Sequence, residues 1–315
     1  MLIYGAGLAG LLSANMFRKF SPTVMEAQSD LPNNQSALLR FRSDRVGSAC
    51  AIPFRKVRVH KAIKYDGRLT TSPDLQLSNM YSQKVTGSIL SRSINNLDSV
   101  DRYIAPLDLI QRMSVGIDIE YESELTIDSI NLHRQAWSWP EEPIISTIPM
   151  PALMKIVGWS NIPNFPHQQI WTQTATIDEP ECDVYQTIYY PDPLTDQYRI
   201  SVIGNVVISE FIREPTTNTG KHTMIALRED FGIAANKLVN LKNSSQKYGK
   251  IRPIDEALRK EFIYEMTEKY NIYSVGRFAT WRQLLLDDVV TDIQHIENFI
   301  NLRSNYVREM HKVKE

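Results

Sequence analysis

The first twenty-six residues constrain this chain more than any other stretch. Met1-Leu2-Ile3-Tyr4 is a short apolar run that leads straight into Gly5-x-Gly7-x-x-Gly10. Leu8, Leu11, Leu12, Met16 and Phe20 then recur at helical spacing, and a second apolar run, Thr23-Val24-Met25, ends in Glu26. Strand, glycine turn, helix, strand and acid in that order make a dinucleotide-binding unit. Gly5 permits the tight turn. Gly7 has no Cβ, so a pyrophosphate can approach the backbone, and Gly10 lets helix and strand pack closely. The phosphates are expected on the unpaired N–H groups of the first helical turn, at Leu8 and Ala9, and Glu26 is placed to accept both hydroxyls of an adenosine ribose. The plainer alternative is a glycine-rich turn in an ordinary βαβ unit.

A chain of 315 residues is long enough for two lobes. Its net charge of −1 exerts no global pull toward nucleic acid or membrane. Cys50 and Cys182 lack CxxC partners, which argues against a disulfide framework or structural zinc and fits a reducing cytoplasm. The six histidines show no metal-ligand spacing, so no metal is expected, and no apolar run is long enough for a membrane span. The opening strand lacks a basic leader and is broken by glycines, which argues against a signal peptide. Oligomeric state is left open.

Beyond the first unit, Arg40 and Arg42 alternate with apolar residues before Ser43, as on a half-buried strand or a helix start. They read either as cations for cofactor phosphates or an anionic substrate, or as a solvated basic face. Residues 55–64 carry Arg55, Lys56, Arg58, His60, Lys61 and Lys64 between Val57, Val59 and Ile63, a strand with one basic face. Such a strip tracks a phosphate backbone or simply protects an edge strand with lysines. Residues 79–87 and 102–106 concentrate polar groups, with Tyr81, Lys84, Arg102 and Tyr103 as candidate substrate contacts and loop hydrogen bonding as the alternative. Residues 117–125 and 144–149 read as strands returning to the first domain, the second ending at Thr147 where a doubly wound sheet presents its ligands. Aromatic strand candidates at 184–190 and 198–208, with a turn signal at Gly204-Asn205, indicate a β-rich insertion. The expected division is a cofactor domain from 1–50, 115–150 and 250–315, and a substrate domain from 51–114 and 151–249.

The last segment supplies a second strand–glycine–helix unit. Residues 270–275 form the strand and Gly276-Arg277-Phe278-Ala279-Thr280 the turn. A helix follows, with Leu285, Val289, Ile293, Ile296 and Ile300 on one face. With the N-terminal unit, this stretch resembles the flavoprotein superfamily of amine oxidases and UDP-galactopyranose mutases. The resemblance implies an α/β fold, a Rossmann-like FAD-binding domain with an inserted β-rich (α+β) substrate domain. It also implies FAD contacts at Gly276, Arg277, Trp281, Leu286 and Asp287, with Leu286 where methionine is usual. The substrate region departs from both families; the mutase histidine loop is replaced by Asn34-Gln35-Ser36-Ala37. Residues 37–43, 52–57, 81–87 and 102–106 look like stretches of small phage flavoproteins, some of which act in thymidine hypermodification.

Three functions follow from these readings. The first is an FAD-dependent oxidoreductase or lyase at an amine C–N bond. Its most specific form removes an amino-acid moiety from hypermodified thymidine in phage DNA and leaves an aminomethyl group, in the host cytoplasm. In it Tyr81 or Tyr103 orients the amine, and Arg40, Arg42, Lys84 and Arg102 are candidates for carboxylate or phosphate contacts. The second is a non-redox flavin-dependent sugar-nucleotide mutase. The third is a non-catalytic dinucleotide-binding protein. Expected partners are a small-molecule or modified-nucleotide substrate and, in the first case, DNA; no membrane is expected.

Overall fold

In the computed structural model, β1 (Leu2–Tyr4), α1 (Leu8–Met16) and β2 (Thr23–Met25) form the expected opening unit, with β1 and β2 parallel. The structure describes residues 1–31, 40–90, 94, 96–136, 142–179 and 182–312; the side chains of 134, 136, 218, 219 and 304–312 are outside that description. Residues 34–37, read above against the mutase histidine loop, therefore lie outside it, as do residues 37–39. The chain next builds β3 (Arg40–Phe41), α2 (Arg45–Ala49), β4 (Arg55–Tyr65), β5 (Arg68–Thr70), α3 (Leu75–Thr86) and β6 (Val100–Ile104). It returns through α4 (Leu109–Ser114), β7 (Asp118–Glu120), α5 (Ile127–Ala136) and β8 (Ile144–Ser146). After α6 (Met150–Ile156) come β9 (His167–Ile177), β10 (Val184–Tyr189), β11 (Gln197–Gly204), β12 (Val206–Phe211), α7 (Thr217–Phe231) and β13 (Leu238–Ile251). The chain closes with α8 (Glu256–Tyr270), β14 (Ile272–Ser274) and α9 (Leu286–Lys312).

Two sheets organise the described residues. The first is parallel and ordered β14-β8-β1-β2-β7. Its strands β14, β8 and β1 are largely buried on both faces, as a sheet covered on both sides requires, while the edge strand β7 exposes Asp118 and Glu120. Ile3, Ile145 and Val24 pack with α1, α4 and α9, while Tyr4, Ile144 and Ile272 pack with α6 and α8. The second sheet has nine strands. Eight run β13-β9-β12-β11-β10-β4-β6-β3, and β5 pairs with β4. Ile63 and Tyr198 on one face meet Tyr81 and Val85 of α3, while Ala175, Ile200 and Val202 on the other meet Leu227 of α7.

Several expectations change here. Arg40–Phe41 pairs with β6 in the large sheet while the Phe41 side chain packs in the core under α1, so the segment bridges the two sheets; a two-residue strand carries too little pattern to reveal its partner. Residues 198–208 split into the β11–β12 hairpin at Gly204-Asn205, where Gly204 takes φ +59°. Residues 79–86 are plain helix, closed by the Asp74 side chain at one end and Gly87 at φ +67° at the other. Leu285 is 49 % exposed and precedes α9, whereas Val289, Ile293 and Ile300 are buried as expected. Among the described residues, no helix is long and apolar enough to cross a membrane.

Gly10 sets how near α1 lies to the end of β1. A Cβ there would stand 1.8 Å from the Gly5 carbonyl oxygen. Gly10→Ala must push helix and sheet apart, and a destabilisation on the order of 1–3 kcal/mol is expected by urea denaturation. Wild-type stability in this variant would show that the approach is not tight.

Candidate functional site

Glycines gather at the carboxyl ends of β1, β8 and β14. Gly5 turns at φ +100°, and a Cβ on it would meet Thr147 Oγ1 at 2.4 Å. Thr147 follows β8 and donates its hydroxyl to the Tyr4 carbonyl at 2.9 Å, so it buttresses the turn. Gly7 differs from its neighbours: a Cβ on it would meet nothing within 4 Å. Gly7 is also the N-cap of α1, and no side chain caps that end. Open space thus adjoins the uncapped N–H groups of the first turn, which includes Leu8 and Ala9. Glu26 is 8 % exposed at the end of β2 and accepts the Ala6 N–H at 2.7 Å and the Gln28 N–H at 3.0 Å. A carboxylate has about four acceptor positions, so two remain.

A turn from far along the chain meets the start of α1. Gly276 turns at φ +95°, and a Cβ on it would stand 2.9 Å from the Ala9 side chain. Arg277 reaches the Gly249 carbonyl at 3.4 Å and lies over Phe278. Asp287, at the start of α9, is 5 % exposed. It accepts the Ser43 N–H at 3.0 Å, the Ser43 hydroxyl at 2.7 Å and the Arg42 N–H at 3.3 Å. The Arg42 guanidinium pairs with Asp288. Ser43, Arg42 and Asp287 are therefore brought together, and much of their hydrogen bonding joins the 42–43 segment to α9. Leu286 packs against the core under α1. Trp281 lies inside the other core, 2 % exposed at φ +46°, with its N–H on the Arg252 carbonyl at 2.9 Å and its ring against Phe165 and Tyr248.

The substrate-contact residues read from sequence scatter. Tyr81 is 1 % exposed, with Tyr189 and Tyr198 at ring distances of 5.3 and 6.2 Å, and packs α3 onto the sheet. Burial pushes the Lys84 ammonium down to about 7, against the pull of Asp192 and Asp196. A lysine so lowered is the kind of group an amine site employs. Here, however, it donates to the Tyr190, Asp192 and Gln197 carbonyls and the Thr195 hydroxyl at 2.6–3.1 Å, as a strut for the 190–197 loop. Arg102 and Tyr103 are neighbours on β6 and so point to opposite faces; Tyr103 joins the core beneath α1. Arg40 turns to the large sheet, where it donates to Thr187 Oγ1 at 2.6 Å and Ser201 Oγ at 3.4 Å.

Sequence reasoning missed the polar centre of that sheet. Arg199 pairs with Glu210, which also accepts the Tyr198 hydroxyl at 2.7 Å. The two charges sit on facing strands, and only the register Arg199–Glu210 discloses the pair. The basic strip of β4 is largely neutralised within the protein. Arg55 pairs with Asp183, Lys56 and Arg58 with Asp101, and Lys64 with Glu229 and Asp230. No group of three or more metal-ligating residues occurs among the described residues.

No protein-family model and no curated protein matches the sequence. Solved structures do. Reduced UDP-galactopyranose mutase matches with a TM-score of 0.69 at 13% identity, over 95% of this chain and 95% of that one. The fold is shared with that enzyme. A candidate protoporphyrinogen oxidase from Exiguobacterium sp. 255-15 matches at 0.62 and 12% identity, over 96% and 98% of the two chains. A geranylgeranyl bacteriochlorophyll reductase-like protein from Thermoplasma acidophilum matches at 0.55 and 10%, over 99% and 82%. At these identities the likeness is one of fold: a Rossmann-like domain of the FAD-binding type joined to a β-rich domain.

The strut role of Lys84 is testable. Lys84→Met leaves three loop carbonyls without their donor and is expected to lose about 1.5–3 kcal/mol of stability in urea denaturation. Full stability with lost turnover would instead make Lys84 part of the reaction.

Proposed function

We propose that this protein is an FAD-dependent enzyme whose cofactor lies between Gly7 and Gly276. One observation carries the reading: the two glycine turns, from opposite ends of the sequence, meet at Ala9 beside open space at Gly7. The residues present fit the group. The first turn of α1 would hold the pyrophosphate on its N–H groups, and the two remaining acceptor positions of Glu26 would hold the ribose hydroxyls. Gly276 and Arg277, with the segment that Asp287 ties to α9, would border the flavin half.

Within this reading the reaction is oxidation at an amine C–N bond. Bound FAD supplies a two-electron sink for the hydride of a C–H beside nitrogen, after which water divides the resulting C=N bond into a carbonyl compound and the free amine. The protein's own part is to hold the amine neutral and oriented and to keep bulk water away. The most specific form is removal of an amino-acid moiety from hypermodified thymidine in DNA, releasing a small oxoacid and leaving the aminomethyl group. Its support is the likeness of residues 37–43, 52–57, 81–87 and 102–106 to phage flavoproteins of that chemistry. The mutual neutralisation of β4 charges weighs against that strand as the DNA track. The second reading, a flavin-dependent sugar-nucleotide mutase, is favoured by the shared fold with UDP-galactopyranose mutase.

Purified protein is expected to be yellow, with the two visible bands of flavin. Gly7→Val is expected to fold normally, because space for the side chain exists, yet to lose the colour; full flavin occupancy in that variant would put the cofactor elsewhere. Mass spectrometry of nucleosides from hypermodified DNA incubated with the protein should show an aminomethyl product. Unchanged nucleosides, with UDP-galactose converted to its furanose isomer in a parallel assay, would select the mutase. DNA as the direct partner predicts an affinity that falls steeply with salt; binding flat in salt would remove it.

A further inference from the structure

Three cations on the large sheet stand apart from the paired ones. Strand register places Lys61 of β4 opposite Thr187 of β10, and Thr187 opposite Ser201 of β11, so the three side chains share one face. Val57, four residues before Lys61, lies on that face too, and Arg102 of β6 is its register partner. Ile104, two residues past Arg102, is opposite Arg40 of β3. Alternation along each strand therefore turns Arg40, Lys61 and Arg102 toward the same side.

Among the described residues no carboxylate pairs with any of the three: Glu210, which acts on Arg40 from a distance, is taken up by Arg199, and Asp98 acts on Lys61 only from a distance. Arg55, Lys56, Arg58, Lys64 and Arg199 each have a carboxylate partner, whereas none of Arg40, Lys61 and Arg102 forms an ion pair among the described residues. The Arg40 guanidinium is held by hydroxyls alone. Burial, then the charge of Arg199, pushes it down to about 10. Burial, then Arg102 and Arg40, lowers Lys61, which shows that the three lie within one another's fields. Partly buried like charges without an anion are costly, because each is desolvated without compensation. The hydroxyls add a donor: Thr187 Oγ1 and Ser201 Oγ lie 2.9 Å apart, a contact that employs one of their two protons and leaves the other. All three cations remain partly exposed, so the site can be reached. Arg40 is also two residues from Arg42, whose N–H is on Asp287, roughly 7 Å along an extended chain.

We propose that Arg40, Lys61 and Arg102, with the Thr187–Ser201 hydroxyl pair, form a binding site for an oxyanion of the substrate, a carboxylate or a phosphate, on the face of the sheet beside the flavin site. In assigning the oxyanion to the substrate, the proposal rests on the flavoenzyme reading above. Arg42 and Lys84, tied to Asp288 and to the 190–197 loop, take no part.

The test is titration calorimetry of the purified protein, with thermal melts alongside, using N-methylglycine as the carboxylate probe and inorganic phosphate as the other. Glycine N-methylamide, which has no carboxylate, is the control. One of the two anions is expected to bind and raise the melting temperature, and the control is not. Binding of N-methylglycine alone assigns a carboxylate substrate, and binding of phosphate alone a nucleotide. Arg40→Met is expected to leave the unliganded melting temperature unchanged or higher, since it removes a buried charge that no ion pair holds, and to weaken the anion roughly ten- to a hundredfold. Lys61→Met, at a more exposed position, should weaken it less and melt as wild type. Absence of anion binding in wild type would overturn the proposal, as would anion affinity unchanged in both variants. Flavin content is read separately from the visible spectrum. A yellow protein that binds neither anion defeats this inference alone, and a colourless one that binds an anion defeats the flavoenzyme reading alone.

Discussion

Close approach of α1 to the ends of three parallel strands is the constraint on which the rest of the structure depends. Gly10 lies over the Gly5 carbonyl, Gly5 lies against Thr147, and Gly276 lies against Ala9. Each of these contacts excludes a side chain on the glycine. Gly7, in the same turn, is the position where no neighbour requires glycine. It stands at the start of α1, which no side chain caps, with open space beside it. The parallel sheet makes this geometry possible by placing β14, from the end of the sequence, two strands from β1.

The second sheet divides its charges by function. The charges of Arg55, Lys56, Arg58 and Lys64 on β4 are neutralised by Asp101, Asp183, Glu229 and Asp230; β4 lies between β10 and β6, so its lysines do not guard an edge as the sequence alternative had it. Arg199 and Glu210 form a partly buried pair that also holds Tyr198. Arg40, Lys61 and Arg102 share one face and form no ion pair among the described residues. The connection of this face to the first sheet runs through Phe41, Arg42 and Ser43, a segment fixed at one end by β6 and at the other by Asp287. An anion bound at Arg40 and a cofactor bound between Gly7 and Gly276 would thus be held by one short, rigid connection.

Much of the first sheet was legible because its signals are local. The apolar runs at β1, β2, β8 and β14, the glycine spacing and the periodicity of α9 are all read from adjacent residues. The large sheet was legible only as strands. Nothing near Arg40 indicates that its guanidinium reaches Thr187 and Ser201, because sheet register is a long-range property set by packing. For the same reason Tyr81, Lys84 and Tyr103 looked like substrate contacts: polar residues in series mark either a site or a set of hydrogen bonds to a distant loop, and the two differ only in what lies opposite. Trp281 followed from resemblance, yet its ring fills the core beside Phe165.

The most direct measurement of the central claim is amide hydrogen exchange of the protein with and without added FAD. If one nucleotide is clasped by both ends of the chain, exchange should slow together in residues 6–12 and in residues 276–282. Slowing confined to the first segment would contradict the account, since the nucleotide would then be held by the opening glycine turn alone.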